Sequence, residues 1–256
     1  MQQQLSFTNH QGEQLAATLH TPDPTTDYGA ILGHCFTCSR HTQVLRQISE
    51  GLCTRGFFVL RFDFSGNGQS EGSFADSTYS KQISEMKSAA SFLQDRGVSW
   101  LGLVGHSMGA MVALLAAAQM DSVQAVCSLA ARSRIMGPAD LFDAGNLQEL
   151  QQTGAVSFLS RGRQLQLTEQ FFADAARYDL NAIMPSLRQY VLLVHGDQDE
   201  IIPAAEAHRL QQLRPHKTEL AIIERGDHMF SQDEQRQQAA ELVVGWFHKL
   251  RLQQLA

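Results

Sequence analysis

The chain has 256 residues, a formal net charge of −6 and 43% hydrophobic residues, which is typical of one globular α/β domain with a modest insertion. A chain of this length buries roughly 75% of its unfolded surface, so it needs neither a disulfide framework nor a metal to fold. Because it has no basic excess and no Lys/Arg stripe, we do not expect nucleic acid as a partner.

The N-terminal sequence MQQQLSF has neither the positive region nor the apolar core of a secretory signal. The longest apolar stretches, 101–105 and 110–118, fall short of the roughly 20 residues that a transmembrane helix needs. We therefore expect a cytoplasmic protein with no membrane span, either a monomer or a homodimer. A disulfide scaffold is not expected, because the chain has only four cysteines: Cys35, Cys38, Cys53 and Cys127.

The chain opens with a predicted hairpin, in which residues 1–20 form two alternating runs around a turn at 9–12. Short apolar strands then alternate with helices. Strands are predicted at 29–33, 57–63, 101–104, 123–129, 190–194 and 220–224. Helices are predicted at 42–55, 80–96, 108–120 and 233–250. Strands that lack polar alternation are typical of a mostly parallel sheet covered on both faces, so we predict an α/β fold.

The segment 133–186 interrupts this alternation. It contains no further strand of the same kind and is too long for an ordinary connection. Helices are predicted within it at 138–151 and 168–178. We interpret 133–186 as a small helical lid or cap over the carboxyl edge of the sheet, inserted into a core domain formed by residues 1–132 and 187–256.

The pentapeptide Gly105-His-Ser-Met-Gly109 lies between a predicted strand and a predicted helix. It matches the G-x-S-x-G nucleophile elbow, in which the serine occupies a sharp, strained turn. Side chains at the glycine positions would clash with the neighbouring strand and helix. We predict Ser107 as a nucleophile at a helix N-terminus, where partial positive charge favours a developing anion. The alternative is an ordinary glycine-rich turn before a helix.

A serine nucleophile needs a base, and the base needs an acid that orients it. In this fold the three residues follow in the order Ser, Asp or Glu, His. Two predicted loops, 195–203 and 225–230, follow the last two strands at the sheet edge that carries ligands in open α/β folds. We therefore predict Asp199 as the acid and His228 as the base.

Three separated motifs in this order resemble those of the α/β-hydrolase superfamily of serine hydrolases, and the resemblance covers nearly the whole chain. It implies an α/β-hydrolase fold with about eight strands in a mostly parallel sheet, helices on both faces and a small helical lid. The family's G-x-x-D-x-x-V-P pattern matches Asp199 rather than Asp197. More narrowly, HCFTCS at 34–39 and RFDFSGNGQS at 61–70 are similar to the hydrolase domain fused to OsmC-like domains in some bacteria. We expect no OsmC-like part in this chain.

Other polar residues near the predicted triad receive structural interpretations. Asp197 is interpreted as a loop residue that binds backbone amides, and Asp227 as structural because it adjoins the base. His34 and His195 each end a strand, and hydrogen bonding within loops is expected of both. His106 is the variable residue of the elbow and is expected to pack.

Acyl transfer also needs two donors for the tetrahedral oxyanion. The backbone N–H of Met108, after the nucleophile, is predicted as one of them. The resemblance to the family's H-G-F-x-x-S loop implies the N–H of Phe36 as the other. Cys35 stands where that loop has glycine, and we count it among the candidate substrate-binding residues. The other candidates are phenylalanines of the insertion, which could line an acyl pocket or form a small core: Phe142, Phe158, Phe171 and Phe172.

These residues predict a carboxylesterase-like serine hydrolase that cleaves small-molecule esters of short to medium acyl chains through an acyl-enzyme, with no cofactor and no metal. A peptidase, an amidase or a thioesterase on the same triad is an alternative that the sequence does not separate. A second alternative is a redox-active or binding protein that uses the C-x-x-C pair Cys35 and Cys38.

Overall fold

The computed structural model describes residues 1–255. Within this range the chain forms ten strands: β1 (Gln2–Thr8), β2 (Gln14–His20), β3 (Tyr28–Gly33), β4 (Phe58–Phe62), β5 (Trp100–His106), β6 (Val123–Leu129), β7 (Ala155–Ser160), β8 (Arg163–Thr168), β9 (Tyr190–Gly196) and β10 (Thr218–Ile223). The same range contains eight α-helices: α1 (Gln43–Thr54), α2 (Tyr79–Gln94), α3 (Met108–Ala117), α4 (Ala144–Thr153), α5 (Glu169–Ala175), α6 (Leu180–Ser186), α7 (Ala205–Leu213) and α8 (Asp233–Leu255).

Eight of these strands form one sheet in the order β1-β2-β4-β3-β5-β6-β9-β10. The predicted N-terminal hairpin is confirmed, since β1 and β2 pair antiparallel with Phe7 opposite Leu15. β2 also pairs antiparallel with β4. The six strands from β4 to β10 along this order run parallel. This is the predicted α/β-hydrolase fold, with its mostly parallel sheet.

Helices cover both faces of the sheet, which explains why the central strands lack polar alternation. Successive residues of a strand point to opposite faces. In β3, Ile31 packs in the core with α2 and α3, while Leu32 packs in the core with α1 and α8. In β5, Leu103 and Val104 divide between the two cores in the same way. All four side chains are fully buried.

The insertion contains a β-hairpin as well as helices, which corrects the expectation of a purely helical lid. β7 and β8 pair antiparallel in a separate two-stranded sheet. The predicted helices at 138–151 and 168–178 are observed as α4, preceded by a 3-10 turn at 138–140, and as α5. The hairpin forms because Val156, Leu165 and Leu167 are buried at alternate positions of their strands, beside exposed polar neighbours.

The topology places the site at one edge of the sheet. The carboxyl ends of β3, β5, β9 and β10 lie together there, because these strands are parallel. The insertion leaves the sheet after β6 and contacts the same edge, where the Oγ atoms of Ser160 and Thr37 are 2.8 Å apart. The division into a core of 1–132 and 187–256 and a lid of 133–186 stays a prediction.

Candidate active site

Ser107 occupies the turn between β5 and α3. Its backbone lies at φ 56° and ψ −118°, a region that non-glycine residues adopt only when their surroundings hold them there. The amide of Ser107 donates to the carbonyl of Leu129 in β6 at 2.8 Å, which fixes the turn to the neighbouring strand. The strain is of the kind that clusters at functional sites.

The two glycines of the elbow are required by close backbone contacts. A Cβ on Gly105 would collide with the carbonyl group of Gly109. A Cβ on Gly109 would lie 2.5 Å from the carbonyl oxygens of Gly33 and His34 at the end of β3. The glycine spacing of the motif therefore reflects how tightly the first turn of α3 packs on β3.

The structure brings the three predicted triad residues together. The Nε2 atom of His228 lies 3.0 Å from the Oγ atom of Ser107, and the Nδ1 atom of His228 lies 2.8 Å from the Oδ2 atom of Asp199. Asp199 lies in the loop after β9, and His228 in the loop after β10. The residues converge because the carboxyl ends of parallel strands meet at one edge.

Asp199 is buried and accepts from several donors. Its Oδ1 atom accepts from the amides of Ile201 at 2.9 Å and Ile202 at 2.7 Å. Its Oδ2 atom lies 3.2 Å from the Nε2 atom of His195, in addition to its contact with His228. Burial by itself would raise the pKa of Asp199, but the hydrogen bonds from His195, His228 and Ile202 outweigh burial and hold this pKa below the usual range. The carboxylate is therefore charged at neutral pH.

His195 and His106 support the triad. The loop hydrogen bonding expected of His195 is confirmed by its bond with the Ile202 carbonyl, whereas the contacts of His195 with Asp199 and of His106 with the His228 backbone were not predicted. The Nε2 atom of His195 lies between two acceptors, Asp199 and the Ile202 carbonyl at 2.8 Å, so this nitrogen carries the proton. The Nε2 atom of His106 lies 2.8 Å from the carbonyl oxygen of His228. Burial, with a smaller contribution from the neighbouring His228 imidazole, lowers the pKa of His106 to about 4. A neutral His106 therefore donates to the His228 backbone.

His34 holds the loop between β3 and α1. Its Nδ1 atom lies 2.7 Å from the carbonyl oxygen of Cys35, and its Nε2 atom accepts from the amide of Phe64 at 3.0 Å. The loop hydrogen bonding expected of His34 is thus confirmed. Burial lowers the pKa of His34, so the ring is neutral and bridges two backbone segments. This bridge fixes the loop conformation although Cys35 replaces the family's glycine.

The two amides predicted as oxyanion donors lie at the start of α3 and in the loop between β3 and α1. Met108 is the first residue of α3, and Phe36 follows Cys35 in the loop after β3. Within residues 1–255, neither amide has a hydrogen-bond acceptor in the protein. Free amides at a helix N-terminus and in an adjacent loop have the donor chemistry that an oxyanion requires. Their assignment as oxyanion donors stays a prediction.

Cys35 and Cys38 are close neighbours in the same loop. Their sulfurs lie at disulfide-bonding distance, and their Cα atoms are 5.2 Å apart. The pair encloses Phe36 and Thr37. Cys53 and Cys127 are free thiols. Among the described residues, no group of three or more His, Cys, Asp or Glu side chains could hold a metal ion.

The phenylalanines of the insertion pack onto the loop that carries Phe36. The Phe158 ring is parallel to the Phe36 ring at a centroid distance of 6.2 Å, and Phe171 lies 5.8 Å from the same ring. Phe171 is fully buried and Phe142 nearly so, while Phe158 and Phe172 are half-buried. These residues therefore contribute to a small aromatic core at the site, and only the two half-buried rings retain exposed surface.

The two other candidate aspartates behave differently. Asp227 accepts from the amides of Met229 at 3.1 Å and Ser231 at 2.8 Å, so its predicted structural role is confirmed. Asp197 is exposed, and within the described chain its carboxylate forms no hydrogen bond. The expectation that Asp197 binds backbone amides is therefore wrong, because its side chain points to solvent.

Comparison with known protein families agrees with the observed fold and site geometry. The model of the alpha/beta hydrolase family matches residues 30–242. The chain belongs to this family of hydrolases. The narrower resemblance to OsmC-fused hydrolases stays a prediction. Within residues 1–255, none of the helices combines the length and the apolar character that a membrane crossing requires.

Solved structures of similar fold include several esterases. The esterase domain of a Rhodothermus marinus protein is 26% identical with a TM-score of 0.75, and the match covers 97% of this chain and 98% of that one. Est1E from Butyrivibrio proteoclasticus, solved with ferulic acid bound, is 23% identical with a TM-score of 0.79, covering 98% and 99%. The Pyrococcus furiosus esterase Pf2001 is 19% identical with a TM-score of 0.72, covering 97% and 91%. The latter two establish similarity of fold.

A further relative has a different description. The dihydrolipoyllysine-residue acetyltransferase component of the acetoin cleaving system from Cupriavidus necator is 29% identical over an alignment of 187 residues, and the match covers 59% of this chain and 47% of that protein. The matched part thus spans about half of that relative's length.

Proposed function

We propose that this protein is a serine carboxylesterase that hydrolyses small-molecule esters of short to medium acyl chains. The observation that carries the proposal is the hydrogen-bonded series from Ser107 through His228 to Asp199, with distances of 3.0 and 2.8 Å. The similarity to the esterase domain from Rhodothermus marinus supports an ester as the substrate. A cytoplasmic location and a monomeric or homodimeric state stay predictions.

In the first half-reaction, the Ser107 Oγ atom attacks the acyl carbon while the His228 Nε2 atom takes the hydroxyl proton. Asp199 is charged and stabilises the resulting imidazolium. The amides of Phe36 and Met108 donate to the oxyanion of the tetrahedral intermediate. His228 then passes the proton to the leaving alkoxide, the alcohol departs, and the acyl group remains as an ester on Ser107.

In the second half-reaction, water attacks the acyl carbon and gives its proton to His228. The second tetrahedral intermediate collapses, the acid departs, and the proton returns to Ser107. His106 and His195 act as positioning residues. His106 donates to the backbone carbonyl of His228. His195 lies with its Nε2 atom between the Asp199 carboxylate and the Ile202 carbonyl, and so fixes the position of the carboxylate. The proposed mechanism uses no cofactor.

The test is a serine replacement with a matched control. We expect Ser107→Ala to lower kcat on 4-nitrophenyl butyrate by roughly 10⁴- to 10⁶-fold, because it removes the nucleophile. Ser157→Ala changes an exposed serine of β7 and should leave kcat unchanged. Circular dichroism of both variants checks that the fold is kept. If Ser107→Ala retains a tenth of the wild-type rate, the nucleophile assignment is wrong.

Two further measurements address the finer parts of the proposal. A series of 4-nitrophenyl esters should show the best kcat/KM for short to medium acyl chains, because the aromatic rings of the insertion pack against one another beside the site. Best activity on long-chain triglycerides would contradict this preference.

A matched panel of esters, amides and thioesters separates an esterase from an amidase, a peptidase or a thioesterase with the same triad.

The redox alternative retains one supporting observation, the closeness of the Cys35 and Cys38 sulfurs. Thiol titration with and without oxidant, run alongside the ester assay, distinguishes the two functions. A reversible Cys35–Cys38 bond that switches ester hydrolysis on and off would favour a redox-active protein. Hydrolysis that is independent of the thiol state favours the esterase.

A further inference from the structure

An open cavity of about 590 Å³ is lined by residues that neighbour the predicted oxyanion donor and the base in sequence, and not by the triad side chains themselves. One wall contains Thr37, which follows the predicted oxyanion donor Phe36. Another contains Met229, which follows His228. The cavity is therefore bounded by the two loops that carry the oxyanion donor and the base. A group attached to an ester bound at Ser107 could extend into it.

The cavity wall carries positive charge without acidic residues. Arg161, Arg163 and Arg236 supply this charge, and of the described lining residues none is Asp or Glu. His41 also lines the cavity, but burial and the charge of Arg40 lower its pKa and favour the neutral ring. Arg236 is already bound to the Asp233 carboxylate. Arg161 and Arg163, by contrast, form no ion pair with a carboxylate within residues 1–255.

The contacts of these two arginines hold them at the cavity. A terminal nitrogen of Arg163 lies 3.4 Å from the Oδ1 atom of Asn67, and Arg163 is half-buried. A terminal nitrogen of Arg161 lies 3.9 Å from the sulfur of Met229. The pKa of His34 is lowered mainly by burial, and the positive charge of Arg163 adds to this effect. The charge of Arg163 therefore reaches the loop that carries the predicted oxyanion donor.

Local backbone preference does not explain the arginine at the hairpin turn. Arg161 and Gly162 are the two turn residues between β7 and β8, with φ angles of 51° and 74°. Hairpin turns with two positive φ angles favour Asn-Gly, Asp-Gly or Gly-Gly. Apart from Gly, Asn and Asp, residues rarely adopt this conformation, because the Cβ atom approaches the following carbonyl oxygen. Arg161 lines the cavity, so its side chain can bind a ligand there, a role that turn geometry alone does not explain.

We propose that this cavity is a carboxylate subsite in which Arg161 and Arg163 bind an anionic substituent of the ester substrate. The inference rests on the proposed esterase function and narrows it to esters of carboxylate-bearing acids or alcohols. A guanidinium group suits this role because its planar donors match a carboxylate and form charge-assisted hydrogen bonds. The hairpin of the insertion thereby determines specificity for the reaction at Ser107.

The test compares neutral and carboxylated esters of matched size. One pair differs in the acyl group, 4-nitrophenyl pentanoate against mono-4-nitrophenyl glutarate. The other pair differs in the leaving group, 4-nitrophenyl butyrate against 3-carboxy-4-nitrophenyl butyrate. We expect the wild type to prefer the carboxylated ester in one pair. In Arg161→Gln/Arg163→Gln, the ratio of kcat/KM values for that pair should fall by about 10- to 100-fold, the effect of removing hydrogen bonds to a charged group.

The control is Arg177→Gln, which changes an exposed arginine of the insertion that pairs with Asp174. It should leave both ratios as in the wild type. If the wild type hydrolyses neutral esters in a Ser107-dependent manner without a carboxylate preference in either pair, the subsite is refuted and the esterase stands. A preference that survives the double replacement also refutes the subsite. If none of the four esters is hydrolysed, both proposals fail.

Discussion

Asp199 divides its two oxygens between different kinds of donor. The Oδ1 atom receives the amides of Ile201 and Ile202, and the Oδ2 atom receives the imidazoles of His195 and His228. An asparagine has one oxygen and one NH₂ group, so it cannot accept on both sides. If its oxygen stays with the amides, its NH₂ group faces two imidazole N–H groups. His228 would then expose the wrong nitrogen to Ser107.

The two-sided acceptance by Asp199 predicts a large effect of Asp199→Asn. We expect kcat for ester hydrolysis to fall by about 10⁴-fold, because the imidazole tautomer is wrong and the imidazolium loses its counter-charge. Asp197→Asn is the matched control, since Asp197 is exposed two residues earlier in the same loop, and its kcat should remain near the wild-type value. Steady-state rates of both variants show which of the two aspartates orients His228. The reverse pattern would assign the acid to Asp197.

The contact between the helix α3 and the strand β3 is made through backbone atoms. The carbonyl oxygens of Gly33 and His34 leave no room for a methyl group on Gly109. β3 is buried at each of its residues and pairs on both sides, so it cannot move away from the helix without breaking its own ladder. The elbow therefore serves the packing of the core as well as the presentation of Ser107.

We predict that Gly109→Ala lowers the free energy of unfolding by about 1–3 kcal/mol, as overpacked buried positions do. Gly245→Ala provides the opposite control in α8, where an added Cβ meets nothing within 4 Å. It should raise the free energy of unfolding by about 0.5–1 kcal/mol, because alanine loses less backbone entropy in a helix. Urea unfolding measures both. Equal stabilities for the two variants would mean that α3 can shift away from β3.

Elements of the core could be predicted from the sequence more fully than those of the insertion. Long apolar runs such as 101–104 and helical spacing in 80–96 each indicate one structure, and the folded chain follows them. The strands of the hairpin, β7 and β8, are six residues each and their alternating pattern is short. The contact of His106 with the His228 backbone could not be predicted, because it depends on which loops the sheet brings together.

Buried histidines, among them His20 and His106, couple the stability of the whole molecule to pH. Burial and the charge of Arg61 lower the pKa of His20 to about 4, and burial chiefly lowers the pKa of His106 to about 4. In the unfolded chain a histidine titrates near 6.5. Between pH 6.5 and about 4, the unfolded state therefore binds protons that the native state does not bind. By linkage, stability is lost as the pH falls through this window, by about 1.4 kcal/mol per pH unit for each such histidine.

His20 offers the cleaner test, because it lies in β2, away from Ser107. Its Nε2 atom accepts from the Arg61 guanidinium at 3.3 Å, and the amide oxygen of glutamine can accept the same bond. We expect His20→Gln to reduce the slope of unfolding free energy against pH, between pH 6 and 5, by about 1 kcal/mol per unit. Urea unfolding at pH 7.5, 6 and 5 measures this slope, with the exposed His216→Gln as the control. An unchanged slope in His20→Gln would mean that native His20 takes up a proton as readily as the unfolded chain does.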